Sequence, residues 1–173
     1  MKLERYFKGN EKHYKSAFEL YQRSFPKAER RDVDEHRRVM QKSDYHFEVI
    51  LEGDELLGIM LFWETEDFVF LEHFATLESV RGRGVGSMAL DLLKARLKKV
   101  ILEIEPPTDT LTRRRLGFYQ RNGMVLNPYH HVQAKFRRDD KDLVLKIMSC
   151  PKELSEREYA DFYAYMKKEI EAK

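Results

Sequence analysis

The sequence predicts an α/β (α+β) fold in which a mixed, mostly antiparallel central sheet carries helices on both faces. Runs with strand patterning follow one another closely between residues 45 and 76, which is typical of an antiparallel meander. An amphipathic helix and a further buried strand come next, and this order favours a parallel crossover. With 173 residues, the chain is expected to form a single domain, 1–173, on which a C-terminal helix at 152–171 packs.

The first predicted helix follows Asn10, a residue type suited to an N-cap. Its apolar face recurs at helical spacing and consists of Tyr14, Ala17, Phe18, Tyr21 and Phe25. Residues 27–38 are crowded with charges of both signs. We expect a short, solvated helix there, of a kind that can also cover a binding cleft.

The meander consists of three predicted strands joined by short turns. Alternating side chains indicate a partly buried strand at 45–52, and Gly53-Asp54 turns the chain into a second strand that ends at residue 64. The third strand covers residues 68–76.

The pattern then becomes helical, with apolar residues spaced to form a helix over 84–98. A buried strand at 100–105, a helix at 109–122 that Gly123 ends, and a late strand through residues 143–147 follow. Ser155 and Glu158 have the spacing of a capping box and begin the last helix.

Composition excludes several classes of protein. Lys and Arg number 32 against 30 Asp and Glu, so the net charge is +2 and a nucleic-acid partner is not expected. Cys150 is the single cysteine, which excludes an internal disulfide and a cysteine-based zinc site. The longest apolar run is too short to cross a membrane, and the N-terminus lacks the apolar core of a signal peptide. We therefore expect a cytoplasmic protein without a membrane or metal partner.

The most informative segment is the glycine-rich loop at residues 80–86. Its glycines allow backbone N–H groups to surround an anion, and the following helix points the positive end of its dipole at the same place. Arg81 and Arg83 add positive charge, so a diphosphate is the expected ligand. A Walker loop needs a lysine that is missing here, and the spacing Gly-x-Gly-x-Gly is not the dinucleotide fingerprint.

The pattern Arg81-x-x-Gly84-x-Gly86, which follows the strand Leu71-Glu72-His73-Phe74-Ala75-Thr76, resembles the acyl-CoA signature of the GNAT superfamily of N-acetyltransferases. A second, weaker match is Phe118-Tyr119-Gln120-Arg121-Asn122-Gly123-Met124. The element order agrees from Leu3 to about Met148. The resemblance implies acetyl-CoA as co-substrate and direct transfer of its acetyl group to an amine. It also implies a cofactor site formed by Phe74, Ala75, Thr76, Arg81, Gly82, Arg83, Gly84, Val85, Gly86 and Ser87.

Catalytic roles are expected for one tyrosine and two carboxylates. Tyr119 is the candidate general acid because a phenol with a pKa of about 10 stays protonated and can donate to a departing thiolate. Glu72 is the first candidate for the base and Glu105 the second. Strand alternation places Glu72 on the face of Phe74 and opposite to His73, while Glu103 shares a face with Glu105. His130 and His131, which follow the segment 118–124, are expected in an exposed loop, and the alternative is that they line the entrance for the acceptor.

The leading hypothesis is an N-acetyltransferase that acts on a primary amine of a small molecule or a peptide. The alternative is a non-catalytic module of the same fold that binds acyl-CoA as a sensor or interaction domain. A nucleotide hydrolase is a third hypothesis. The aromatic stripe of the last helix is typical of a core contact or of a homodimer contact.

Overall fold

The computed structural model describes residues 1–7, 11–137 and 139–172. Asn10, the predicted cap of the first helix, lies outside these ranges. The strands are β1 (Lys2–Arg5), β2 (Tyr45–Glu52), β3 (Glu55–Glu64), β4 (Phe68–Thr76), β5 (Lys99–Ile104), β6 (Val125–Leu126), β7 (His131–Val132) and β8 (Val144–Cys150). The helices are α1 (Tyr14–Ser24), α2 (Val33–Val39), α3 (Val85–Lys94), α4 (Thr110–Arg121) and α5 (Glu156–Tyr165). Short 3₁₀ turns lie at Lys27–Glu29 and Glu78–Val80, and a π-helical turn at Met166–Ile170 follows α5.

The strands form a mixed sheet in the order β1-β2-β3-β4-β5-β8-β6, and β7 also pairs with β8. Strands β4 and β5 run parallel, whereas the other paired strands run antiparallel. The helix between β4 and β5 makes the crossover that a parallel pair requires. The predicted fold class is therefore confirmed.

Two apolar layers enclose the sheet, because side chains alternate between its faces. One layer packs α1 and the C-terminal helix against the sheet, through residues such as Ala17, Tyr21 and Phe162. The other packs α3 and α4 against the opposite face, through residues such as Ala89 and Leu93. Helices therefore pack on both faces of the sheet, as expected.

The charged stretch at 27–38 differs from the expected solvated cover. It forms the 3₁₀ turn and α2, which Asp32 caps by accepting a hydrogen bond from the backbone N–H of Glu35 at 2.8 Å. Arg31 and His36 are only 4% and 2% exposed. The helix predicted from the mixed charge is therefore confirmed. The prediction that this stretch is solvated is wrong, because Arg31 forms an ion pair inside the protein.

A β-bulge interrupts β4 in front of the cleft. Leu61 of β3 pairs with His73, and its neighbour Phe62 pairs with Leu71, so Glu72 is the extra residue. An extra residue shifts the alternation of every side chain after it. Consequently Glu72 and His73 lie on the same face of the sheet and Phe74 on the other, and the alternation predicted from the sequence is wrong here.

Candidate functional site

A cleft of about 1430 Å³ opens where β4 and β5 separate. The parallel pairing of these strands ends at Leu71 and Leu102, and both strands continue beyond that point. The cleft is lined by nearly all of the site residues predicted from the sequence. These are Glu72, Phe74, Ala75, Thr76, Arg81, Gly82, Gly84, Val85, Gly86, Ser87, Glu105 and Tyr119. Arg83, also predicted, is exposed in the loop and does not line it.

The glycine-rich loop turns tightly before α3. Gly82 and Gly84 have φ angles of +77° and +78°, in the left-handed region that favours glycine. The first backbone N–H groups of α3, those of Val85, Gly86 and Ser87, have no partner within the helix and point towards its N-terminus. A Cβ atom on Gly86 would lie 3.1 Å from the Phe118 ring. The loop therefore forms a close-packed cradle of N–H donors, which suits an anion.

The backbone of β4 offers further polar groups to the cleft. The N–H of Leu77 donates to the carbonyl of Leu57 on β3 at 2.8 Å. Because successive residues of a strand direct their N–H groups to opposite sides, those of Phe74 and Thr76 point away from β3. Strand β5 no longer pairs there. These groups are thus free to hold a chain that enters the cleft alongside β4.

Tyr119 lies on α4, the helix that begins with a capping box between Asp109 and Thr112. Its side chain is half-buried and lines the cleft. Burial raises the pKa of Tyr119 to about 12, and among its neighbours Arg115 opposes this rise while Glu105 adds to it. The hydroxyl therefore stays protonated over the whole neutral range and is available as a proton donor.

Glu72 is held inside the protein by the guanidinium of Arg31. Arg31 donates through both terminal nitrogens, with Nη2 at 2.6 Å from Oε1, and the indole N–H of Trp63 donates to the same oxygen at 3.0 Å. Burial raises the pKa of Glu72, but the ion pair outweighs this effect and holds the pKa well below its usual range. The carboxylate keeps its charge and both of its oxygens are engaged. This arrangement favours a positioning role over that of a base.

Glu105 and Glu29 line the outer part of the cleft. Burial raises the pKa of Glu105, but its hydrogen bond with Arg115 outweighs this and lowers it. Glu29 has the opposite shift, because burial and the charge of Glu105 both raise its pKa. The Glu29 carbonyl accepts a hydrogen bond from Nε2 of His73 at 2.8 Å, which fixes the 3₁₀ turn against β4.

Sequence reasoning did not single out Glu29. The one feature of the sequence that could have indicated Glu29 is its place in the charged stretch at 27–38, which was expected to be able to cover a cleft. The position expected for His131 is wrong. It is fully buried against Glu103 instead of lying in an exposed loop, and only His130 is exposed as expected.

Over 1–7, 11–137 and 139–172, no three or more His, Cys, Asp or Glu side chains are grouped so that they could hold a metal ion. Within those same ranges, no helix has the length and apolar character that crossing a membrane requires.

Comparisons with known proteins agree with this geometry. The model of the acetyltransferase (GNAT) family matches residues 14–124. YjbC of Bacillus subtilis (strain 168), a protein assigned to the acetyltransferases, is 38% identical over 65 residues. That match covers 36% of this chain and 34% of YjbC, so it spans about a third of the relative's length.

Solved structures extend the similarity to the whole fold. A Bacteroides thetaiotaomicron protein assigned to the GNAT acetyltransferases is 26% identical, with a TM-score of 0.91 and coverage of 100% of both chains. A GNAT acetyltransferase of Elizabethkingia anophelis, solved with acetyl-CoA bound, is 12% identical with a TM-score of 0.56. It covers 86% of this chain and 95% of that one, and at such identity the likeness concerns the fold alone.

Proposed function

The chain belongs to the acetyltransferase (GNAT) family, and from this premise we propose that it is an N-acetyltransferase. It moves the acetyl group of acetyl-CoA directly to a primary amine of a small molecule or a peptide. The observation that carries the proposal is one cleft in which the glycine-rich loop, the free β4 backbone and the protonated Tyr119 meet. We extend the proposal to residues 1–173 acting as one domain. A cytoplasmic location and a homodimer stay predictions.

The residues present suit acetyl-CoA. The N–H groups of Val85, Gly86 and Ser87 would hold its diphosphate at the N-terminus of α3, with Arg81 and Arg83 contributing positive charge. The crowding of Gly86 against Phe118 leaves room for backbone but not for a side chain at that point. The backbone groups of Phe74, Ala75 and Thr76 would hold the pantetheine arm, because this part of β4 has no pairing with β5.

Direct transfer makes three demands on this chain. An N–H of β4 must donate to the oxygen that becomes an oxyanion, and preorganised donors of this kind lower a barrier by about 3–4 kcal/mol. Tyr119 must donate its proton to the departing sulfur. A carboxylate must take a proton from the amine. Of the two carboxylates predicted for this step, Glu105 reaches the open cleft, although its ion pair with Arg115 weakens it as a base.

The test combines calorimetry with a thiol-release assay on a panel of amines. We expect acetyl-CoA to bind and CoA to be released with at least one amine. A sensor of the same fold would bind acetyl-CoA and release no CoA with any amine. A nucleotide hydrolase would bind ATP with magnesium and not acetyl-CoA. Either of these outcomes would refute the proposed activity.

A further inference from the structure

Glu103, the first residue of β5 beyond the last β4–β5 pair, differs from Glu72 and Glu105, the two carboxylates predicted as the base. It lines the cleft, and its side chain is 8% exposed. Glu72 and Glu105 each have an arginine partner. Among the described residues, the contacts of Glu103 are instead Nε2 of His131 at 2.5 Å from Oε1 and Nε2 of Gln133 at 3.2 Å from Oε2. The carboxylate at the point where the strands separate therefore has no Lys or Arg partner there.

A hydrogen-bonded chain runs from Glu103 to the C-terminal helix. The His131 side chain is fully buried, and its Nδ1 lies 3.0 Å from the hydroxyl of Tyr159 on α5. That hydroxyl also lies 3.3 Å from the carbonyl of His130. The Tyr159 ring stacks on Tyr129 with a centroid distance of 4.0 Å, which fixes its orientation. Strand β7 and helix α5 both lie beyond the residues that the family model matches.

One hydrogen of this chain follows from its geometry. A separation of 2.5 Å between Nε2 and Oε1 requires a hydrogen between the two atoms, so Nε2–H of His131 donates to Glu103. Nδ1 of His131 shares the second hydrogen bond of the chain with the Tyr159 hydroxyl. His131 thereby holds Oε1, while Oε2 accepts from Gln133, whose side chain also lines the cleft. A carboxylate oxygen has more than one acceptor position, so Oε2 keeps capacity for a further donor.

We propose that Glu103 binds the ammonium group of the acceptor and takes its proton, and that His131 and Tyr159 are positioning residues for Glu103. The inference rests on the proposed acetyltransferase function and names its base. An arginine partner stabilises the charged form of a carboxylate and so weakens it as a proton acceptor. Among the described residues Glu103 has no Lys or Arg partner, and it lies at the point of strand separation that the acetyl group would reach alongside β4.

The proton balance of the reaction is as follows. The ammonium gives one proton to Glu103, and the freed lone pair of the amine forms the C–N bond with the acetyl carbon while the carbonyl π pair moves to its oxygen. The C=O bond re-forms as the C–S bond breaks, and the C–S electron pair goes to sulfur, which takes the proton of Tyr119. The nitrogen of the resulting amide gives its extra proton to the Tyr119 oxygen. Glu103 finally releases its proton to the solvent in the open cleft.

Among the described residues, few other titratable groups face Glu103 and His131. From β7 and α5 these are His131 itself, Tyr159 and Tyr163, and the next carboxylate along the chain is Glu105, just after β5. Glu72 on β4 is tied to Arg31. A change in the pH profile on substituting Glu103 therefore has few alternative sources.

The experiment measures kcat/KM against pH for the wild type and for Glu103→Gln, with an amine found in the thiol-release panel. We expect Glu103→Gln to lower kcat/KM at neutral pH by about 10²–10⁴-fold, since a general base contributes this much. We also expect the remaining rate to follow the ionisation of the amine alone. Binding of acetyl-CoA, measured by calorimetry, should not change, which reports that the variant is folded. Glu105→Gln is the matched comparison and should lose less than Glu103→Gln.

The positioning residues are tested by removing and restoring single hydrogen bonds. His131→Phe removes the donor to Oε1 and should lower kcat by about 10–100-fold, as loss of an orienting partner does. His131→Gln, which can place an N–H near the same point, should restore part of this loss. Tyr159→Phe should change the pH profile and leave acetyl-CoA binding intact.

The outcomes separate this inference from the proposed function. If the wild type releases no CoA with any amine, the proposed function fails, and the inference fails with it. If the wild type is active and Glu103→Gln keeps its rate and pH profile, the inference alone is overturned. A greater loss in Glu105→Gln than in Glu103→Gln would also overturn it, as would equal rates in His131→Phe and His131→Gln.

Discussion

Replacing Arg31 by methionine should destabilise the protein strongly, because Glu72 would then carry an unpaired charge in the interior. The two side chains are 0% and 2% exposed and are joined by two hydrogen bonds. Breaking such a buried pair on one side costs about 3–5 kcal/mol. Of the hydrogen bonds that Arg31 and Trp63 donate to the Glu72 carboxylate, the substitution leaves the one from the Trp63 indole N–H, at 3.0 Å. For a chain of this size, the loss corresponds to a fall in Tm of about 6–20 °C.

The double variant Arg31→Met/Glu72→Leu tests whether the loss comes from the unpaired charge. With both charges gone, most of the stability should return, because a buried ion pair and apolar side chains of similar volume are often about equally stable. The pH dependence has a definite sign. The pKa of Glu72 is lowered in the fold, so the stability it contributes is present above the unfolded pKa of about 4.3 and is lost as the pH falls further. The double variant should lack this component.

Urea denaturation at pH 7 measures the free energy of unfolding of each variant. Arg38→Met is the matched control, because it breaks the Arg38–Glu35 pair, whose side chains are 45% and 19% exposed. An ion pair of that kind contributes about 0–1 kcal/mol. The argument is refuted if Arg31→Met costs no more than Arg38→Met. It is also refuted if the double variant is as unstable as Arg31→Met alone.

Three further predictions concern other parts of the molecule. Tyr119→Phe should lower kcat by about 10²–10⁴-fold while acetyl-CoA still binds, and unchanged turnover would exclude Tyr119 as the general acid. Gly84→Ala forces a side chain into φ +78° and should weaken acetyl-CoA binding in calorimetry, whereas Gly53→Ala, at φ +57° in the β2–β3 turn, should leave that binding unchanged. Burial lowers the pKa of His36 to about 4, so the folded protein takes up this proton less readily than the unfolded chain. The free energy of unfolding should therefore fall by about 3 kcal/mol as the pH drops from above about 6.5 to 4. In thermal melts at a series of pH values, His36→Phe should abolish this loss, whereas His130→Gln, at an exposed position, should keep it. The same pH dependence of Tm in both variants would contradict the role of His36.

Much of the fold follows from local patterns along the chain. The strand at 68–76 and the helix that begins at Val85 lie where side-chain periodicity predicted them. The glycine-rich loop was equally readable, because a left-handed backbone and a helix N-terminus depend on residues next to one another. Tyr119 was found because its surrounding block resembled a family motif, and it lines the cleft.

The burial of charged residues could not be predicted from local sequence patterns. Arg31 lies in a stretch with the composition of a solvated surface, yet it pairs with Glu72, 41 residues further along the chain. His131 likewise reaches Glu103 across 28 residues. Charge alone predicts exposure, because an unpaired charge is costly to bury. The partner that removes this cost is brought close only by the packing of distant elements.

By itself, the sequence determined the order of helices and strands, the glycine-rich loop and the family, since all of these depend on neighbouring residues. The tertiary structure decided which carboxylates are free to act. One extra residue in β4 put His73 on the same face of the sheet as Glu72 and Phe74 on the other, and the pairing of β7 with β8 placed His131 between Glu103 and the C-terminal helix. Pairing register and long-range packing set these contacts, because a shift of one residue reverses the face of every side chain that follows.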